Sequence, residues 1–322
     1  MKRVHFVVAL AMLASWADMV AGAAEAFPER PVRYIVAFTP GGASDIVARI
    51  VAEGLTRELG QHVVVDNRSG ASGTIGAEVA AKATPDGYTL FACNIASLAV
   101  SPALYRKLGY DPGAFVPIGL IASNPNALSV TAALPALNVP EFIALAKSRP
   151  GKLNYGSAGV GTSPQLSMEL FKLQAGIDIV HVPYRGISTA IVDLSAGQIQ
   201  AMFSTVPSVL GAQRSGKVRV LGVTSLQRAP DLPDAPTIAE SGYKGLEATN
   251  WHGAFVPART PPAIVTRLSA EITRALAMPD VQQKLAGGAG PVEPGPAALA
   301  AVLKADYDKW GRIVREAGIK AE

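Results

Sequence analysis

The stretch that most constrains the fold is VRYIVAFTPGGASDIVAR, residues Val32–Arg49. Val32–Phe38 is rich in β-branched and aromatic residues, the composition of a buried strand. Thr39-Pro40-Gly41-Gly42 cannot extend that strand, and Ile46, Val47, Ile50 and Val51 then recur at helical spacing. The order is strand, glycine turn, helix. Gly41 and Gly42 permit positive φ and a close approach of backbone to a bound group. The first N–H groups of the helix lack intrahelical partners and sit at the positive end of its dipole. A carboxylate or phosphate is therefore stabilised there without a cationic side chain. An ordinary βα turn carries the same signature, so this stretch alone leaves both readings open.

The alternation continues along the chain. Val63–Val65 reads as a strand, the glycine-rich segment Asp66–Gly76 feeds a helix over Ala77–Ala83, and Tyr88–Cys93 reads as a third strand. This is the β-α-β-α-β order of a parallel doubly wound sheet. Val116–Ala122 and Ala127–Thr131 read as two further strands. A second unit of the same logic follows. Leu153–Tyr155 is a strand, GSAGVG (Gly156–Gly161) is a glycine loop, and Thr162-Ser163-Pro164 opens a helix with proline in its first turn. Ile177–Val182, Gln198–Phe203 and Val218–Thr224 are strands, with Tyr184 and Arg185 in one intervening loop and Ser204–Pro207 opening another helix. Thr249–Val256 reads as a strand crossing back, and Pro261–Leu276, Pro279–Leu285 and Ala297–Glu316 as helices. Ligands of open α/β sheets bind at the carboxyl ends of strands, so two such units facing each other make a cleft lined by backbone amides.

Residues 1–26 are set apart as an export signal: Lys2 and Arg3 precede the apolar run Phe6–Trp16, and Ala21-Gly22-Ala23 and Ala24-Glu25-Ala26 are candidate cleavage sites. The run is too short to span a bilayer, and no cysteine stands at the cleavage site to carry a lipid anchor. Removing 26 of 322 residues leaves about 296, enough for two domains. The net charge of +4 is dispersed, without basic runs interleaved with aromatics, which argues against nucleic acid. The single cysteine, Cys93, excludes a disulfide framework and reads as a small core residue.

Catalytic chemistry is hard to assemble from these residues. His62, His181 and His252 are far apart and have no metal-ligand spacing. No G-x-S-x-G elbow is present. Gly211–Lys217 resembles a phosphate loop, but Val218 stands where Ser or Thr must hold magnesium, and GSAGVG is not G-x-G-x-x-G. No cofactor and no metal are expected.

The segments PERPVRYIVAFTPGGASDIVAR, VDNRSGASGTIGAEVAAKATPDGYTL, NYGSAGVGTSPQLSMELFK, VHVPYRGISTAIVDLSAGQIQAMF, GKVRVLGVTSLQRAPDLPDAPTIAESGY and FVPARTPPAIVTRLSAEI, in this order, resemble the extracytoplasmic solute receptors of tripartite tricarboxylate transporters, the Bug family. The resemblance spans the chain after residue 26. It implies an α/β periplasmic binding protein, type II-like, of two domains that each hold a mainly parallel sheet. Domain one takes residues 27–125 and returns as 250–322, and domain two takes 126–249. The expected ligand is a small organic carboxylate, the expected partners are transiently docked membrane transporter subunits, and the protein itself is expected to be a periplasmic monomer. Carried over by position, the first loop supplies Thr39, Gly41, Gly42, Ala43, Ser44 and Asp45. The second supplies Ser157, Ala158, Gly159, Gly161, Thr162 and Ser163. Phe38 and Tyr184 are implied aromatic walls, Asp193 sits on the helix after Tyr184, and Ser97 and Ser204 complete the candidate set. Thr39, Gln165 and Gln200 depart from the family's usual proline or alanine, histidine and aspartate.

Asp45 also fits a helix-end role paired with Arg49, and Ser44 and Thr162 fit helix caps. Two other functions stay open: a ligand sensor signalling to a membrane partner, and a hydrolase using Ser44 or Ser157. The crossings near Ile118–Asn126 and Thr249–Val256 are expected to hold the hinge, with Gly119 and Gly253 as its flexible points.

Overall fold

The computed structural model describes residues 27–286, 292, 294–316 and 318–319. The expected export signal, residues 1–26, lies outside them. The elements are, in chain order, β1 (Val32–Val36), α1 (Ala43–Leu59), β2 (Val63–Asn67), α2 (Thr74–Ala81), β3 (Thr89–Asn94), a π turn at Ala96–Val100 and α3 (Ser101–Leu104). Then come β4 (Phe115–Thr131), α4 (Val139–Ser148), β5 (Asn154–Ser157), α5 (Ser163–Ala175), β6 (Val180–Pro183) and α6 (Ile187–Ser195). The rest are β7 (Ala201–Thr205), α7 (Val206–Arg214), β8 (Val218–Val223), β9 (Thr249–Pro257), α8 (Pro262–Ala277), α9 (Pro279–Ala286) and α10 (Pro296–Glu316).

The strands build two sheets that share β4. The first runs β2-β1-β3-β9-β4, with β1, β2 and β3 parallel and β9 antiparallel to both β3 and β4. The second places β5 parallel to β6 and β7, while β4 lies antiparallel to β7 and β8. The parallel strands are those of the expected βαβ units. The antiparallel ones adjoin the crossing segments.

In place of two strands over Val116–Ala122 and Ala127–Thr131, one 17-residue strand passes through both sheets. Its first part, Phe115–Pro125, pairs with β9, and Asn126–Val130 pairs with β7. Asn124, Pro125 and Asn126 break the apolar pattern, yet the backbone ladder continues through them. Pro125 falls at the changeover of partners, where a missing N–H disturbs the ladder least. In both lobes the inner strands are covered on both faces, as in buried parallel sheets, and are mostly apolar, whereas the edge strands β2 and β6 carry exposed and polar positions. Tyr34 and Val36 face α1, α8 and α9, packing with Val51, Leu55, Leu268 and Ile272. Ile35 and Phe91 face the opposite layer, with Ala77, Leu98, Leu299 and Trp310. In the second lobe Tyr155 and Phe203 pack on Phe142 and Phe171, and Met202 on Leu194 and Val209.

Gly119 and Gly253 are not points of backbone freedom. Neither has positive φ. A Cβ on Gly119 would lie 2.9 Å from Ile272, and one on Gly253 2.5 Å from Leu299. They are glycine so that α8 and α10 can pack close against β4 and β9.

Candidate ligand-binding site

Four helices aim their N-termini at one chamber between the lobes. Its lining includes Gly42, Ala43 and Ser44 at the start of α1, Thr162, Ser163 and Pro164 at α5, Gly186 and Ile187 at α6, and Thr205 and Ser208 at α7. Phe38, Thr39, Asn94, Ala158 and Asn250 complete it, and no Lys or Arg is among the lining residues. The N-cap residues Gly42, Thr162, Gly186 and Thr205 all have extended backbone, and none caps its helix through a side chain. The Asp45 amide turns back to the Gly42 carbonyl and Pro164 and Pro207 bring no N–H; the remaining first-turn amides are left for another acceptor. The chamber holds ≈ 60 Å³, several times the ~15 Å³ that one water centre needs.

A wider cleft of ≈ 720 Å³ adjoins the chamber and shares Phe38, Thr39 and Ala158 with it. Ser69–Gly73, Tyr105, Gly159, Val160, Tyr184 and Arg185 also line it. Ala71 and Ser72 have left-handed backbone, φ 44° and 54°, flanked by Gly70 and Gly73, also at positive φ. The Ser72 hydroxyl donates across the cleft to the Val160 carbonyl.

Phe38, Thr39, Gly42, Ala43, Ser44, Ala158, Gly159, Thr162, Ser163 and Tyr184 therefore line the chamber or the cleft. The other candidates do not, and each is occupied or covered. The Gly41 amide donates to Asp45 Oδ2 at 2.9 Å, and Arg49 and Asn67 donate to the same carboxylate. Burial alone would raise the Asp45 carboxyl, but these three hydrogen-bond donors hold it below the usual carboxylate range. Asp45 thus braces the first loop, in the helix-end role with Arg49. The Gly161 amide donates to Gln165 Oε1 at 2.6 Å, so Gln165 braces the second loop. Gln200 accepts from the Asn154 amide at 2.9 Å and tethers β5 away from the chamber. Ser157 lies under the second loop, its Oγ 2.7 Å from His181 Nε2. Asp193 accepts from the Tyr184 hydroxyl at 2.7 Å and orients that ring; burial, then Asp193, pushes the phenol up to about 12. Ser97 and Ser204 are fully buried.

Asn94, Gly186, Ile187, Thr205, Ser208 and Asn250 join the chamber without having been singled out. Gly186–Ile187 and Thr205–Ser208 are strand-to-helix junctions like the two glycine loops, so the same N-terminus argument reaches them. Asn94 and Asn250 carry a weaker signal, a polar residue at the end of an apolar strand. Asn94 Nδ2 lies 3.2 Å from Ser44 Oγ, and His252 Nδ1 3.4 Å from it. Burial pushes the His252 imidazole down to about 4, so it is neutral at pH 7.

Two lobes joined by crossing strands, with helix N-termini closing on a chamber between them, define a two-domain solute-binding protein. The chain belongs to the tripartite tricarboxylate transporter family receptors, whose family model matches residues 47–319. It is 40% identical over 329 residues to a UPF0065 protein from the tcbD–tcbE intergenic region of Pseudomonas sp. strain P51, covering 99% of this chain and 95% of that one. Among solved structures, Rpa4515 of R. palustris with adipate is 38% identical with a TM-score of 0.88, covering 91% of this chain and 99% of that one. MatC (Rpa3494) from Rhodopseudomonas palustris with bound malate is 33% identical with a TM-score of 0.84, covering 89% and 100%.

Proposed function

We propose that this chain is a periplasmic receptor that captures a small organic carboxylate and delivers it to the membrane subunits of a tripartite transporter. The observation that carries the reading is the convergence of four helix N-termini, uncapped by side chains, on a chamber lined by no cationic side chain. Each terminus presents free N–H groups and the positive end of a dipole, which together neutralise a carboxylate within about one helical turn. Relatives solved with adipate and with malate support the ligand class. The basic and apolar start of the chain supports export.

In this reading Gly42, Ala43, Ser44, Thr162 and Ser163 hold the carboxylate. Phe38 and Ala158 flank it at the passage to the outer cleft, and Tyr184 and Arg185 receive whatever the acid carries beyond. Residues 27–125 with 250–322 form one domain and 126–249 the other. Binding requires no turnover. Ser44 faces a neutral histidine whose second nitrogen meets Asn250 rather than a carboxylate.

The test is a thermal-shift screen of organic acids, followed by calorimetry of the best acid and its primary amide. Saturation at 100 times the dissociation constant adds about 2.7 kcal/mol of stability. The amide is expected to bind at least tenfold more weakly, since it brings no charge to the helix termini. Equal binding of acid and amide would sink the carboxylate reading.

A further inference from the structure

The chamber and the outer cleft differ in charge. No Lys or Arg lines the chamber, whereas among the described residues that line the cleft Arg185 alone is charged. The cleft shares Phe38, Thr39 and Ala158 with the chamber, so an acid entering from the cleft meets Arg185 before it meets the helix termini.

Arg185 does not serve the fold. It is exposed, and its guanidinium has neither an ion pair nor a hydrogen bond among the described residues. By contrast, Arg33, Arg49 and Arg68 on the first lobe are each held by a carboxylate. Arg185 also directly precedes Gly186, the N-cap of α6. A cation there lies at the positive end of the helix dipole, where it is disfavoured. The single acid of α6, Asp193, accepts instead from the Tyr184 hydroxyl at 2.7 Å.

A fixed charge on the wall of a cleft focuses its field into it and draws in counter-ions. An acid short enough to stay in the chamber has left Arg185 behind, since Arg185 lines the cleft and not the chamber. A charge that stabilises only the encounter speeds capture and release together, by detailed balance, and leaves the dissociation constant nearly unchanged. A charge that touches the bound ligand does otherwise: it slows release. We propose that Arg185 is an electrostatic gate, which draws an organic acid into the outer cleft and eases its passage in both directions, while the helix termini hold the carboxylate. This deepens the carboxylate reading above and rests on it.

Two measurements test it in wild type, Arg185→Gln and Arg185→Glu. The first is stopped-flow binding of propionate, butyrate and benzoate, three acids with a single carboxylate. One unit charge acting at roughly 8 Å through water changes an anion's encounter about twofold, and its reversal about fivefold. At about 10 mM salt kon is therefore expected to fall by these factors in the Gln and Glu variants, with koff unchanged or lower. At about 1 M salt, where the Debye length is about 3 Å, the three proteins should agree. Urea midpoints of Arg185→Gln should match or exceed wild type, because an unfavourable cation is removed; a clearly lower midpoint would assign Arg185 to the fold and overturn the gate.

The second measurement needs no binding equilibrium. Ser69→Cys places a thiol on the cleft wall, and Cys93 is buried. Iodoacetate and iodoacetamide differ in charge and hardly in size, so the ratio of their alkylation rates reads the potential met by a carboxylate there. Adding Arg185→Gln is expected to lower that ratio about twofold at low salt and to leave it unchanged at high salt. An unchanged ratio at low salt would overturn the gate and leave the carboxylate reading intact. A rise in koff with kon unchanged would overturn it too, making Arg185 a partner of the bound acid. A lowered ratio beside equal binding of acids and their primary amides would sink the carboxylate reading, and the gate with it. If none of the three acids binds, the alkylation ratio alone decides.

Discussion

Gly41 and Gly42 are adjacent and serve different ends. Gly41 has φ +78° and turns the chain with its amide on Asp45. Gly42 has φ −80° and ψ 166°, an extended geometry open to any residue, and a Cβ there would meet only the Thr39 carbonyl at 3.5 Å. Gly41→Ala is therefore expected to lower stability by about 1–2 kcal/mol through left-handed strain, read from denaturant midpoints. Gly42→Val should leave that midpoint nearly unchanged while its branches enter the chamber, so affinity for the carboxylate falls more than tenfold by calorimetry. A Gly42→Val protein that binds at wild-type strength would make the first loop a connector only.

Among the secondary elements, β9 buries a histidine and β6 half-buries another. His181 on β6 stacks on Tyr155 with ring centroids 4.8 Å apart, and burial pushes its pKa down to about 4. His252 on β9 is pushed down to about 4 by the same cause. For a base with a depressed folded pKa, the unfolded chain takes up protons that the folded chain refuses. Stability is then full above pH 6.5 and is lost as pH falls from 6.5 towards 4. The expected slope is about 1.4 kcal/mol per pH unit for His252 well inside that window, and smaller for the half-buried His181, whose shift solvent screens. Urea midpoints at neutral and mildly acidic pH measure it, and replacing both rings with Phe should flatten the profile. A wild-type profile already flat over that window would mean that neither ring is kept neutral by burial.

Across the whole molecule, the cleft is bridged by direct contacts between lobes. Ser72 donates to the Val160 carbonyl, and Leu166 of α5 joins the core cluster that holds Phe91 and Leu98. Gly186 is packed so closely that a Cβ there would lie 2.6 Å from Thr39 Oγ1. Because each helix terminus acts over about one turn, a ligand held from both lobes is bound fully only when they are this close. It then shifts the population towards closure by no more than its differential affinity for the two forms. Gly186→Val is expected to wedge Thr39 and keep the lobes apart. Wild type should contract on ligand addition in small-angle scattering, and the variant should not, with affinity down more than tenfold. No contraction in wild type would indicate a rigid pocket.

Local pattern determined much of this protein. Apolar runs broken by glycine, and helical spacing after them, located the βα units, because strand and helix periodicity act over a few residues. The same pattern pointed to Gly42–Ser44 and Thr162–Ser163 as helix starts. Tertiary structure alone decided that α6 and α7 aim at the same chamber, that Asn94 meets Ser44 directly while Asn250 reaches it through His252, and that Asp45 and Gln165 brace loops rather than line the chamber. These depend on how β4 runs through both sheets and on its pairing with β9 in the first. That pairing joins residues more than a hundred positions apart, and the free energy that selects it lies in long-range packing, which leaves no periodic trace in the chain.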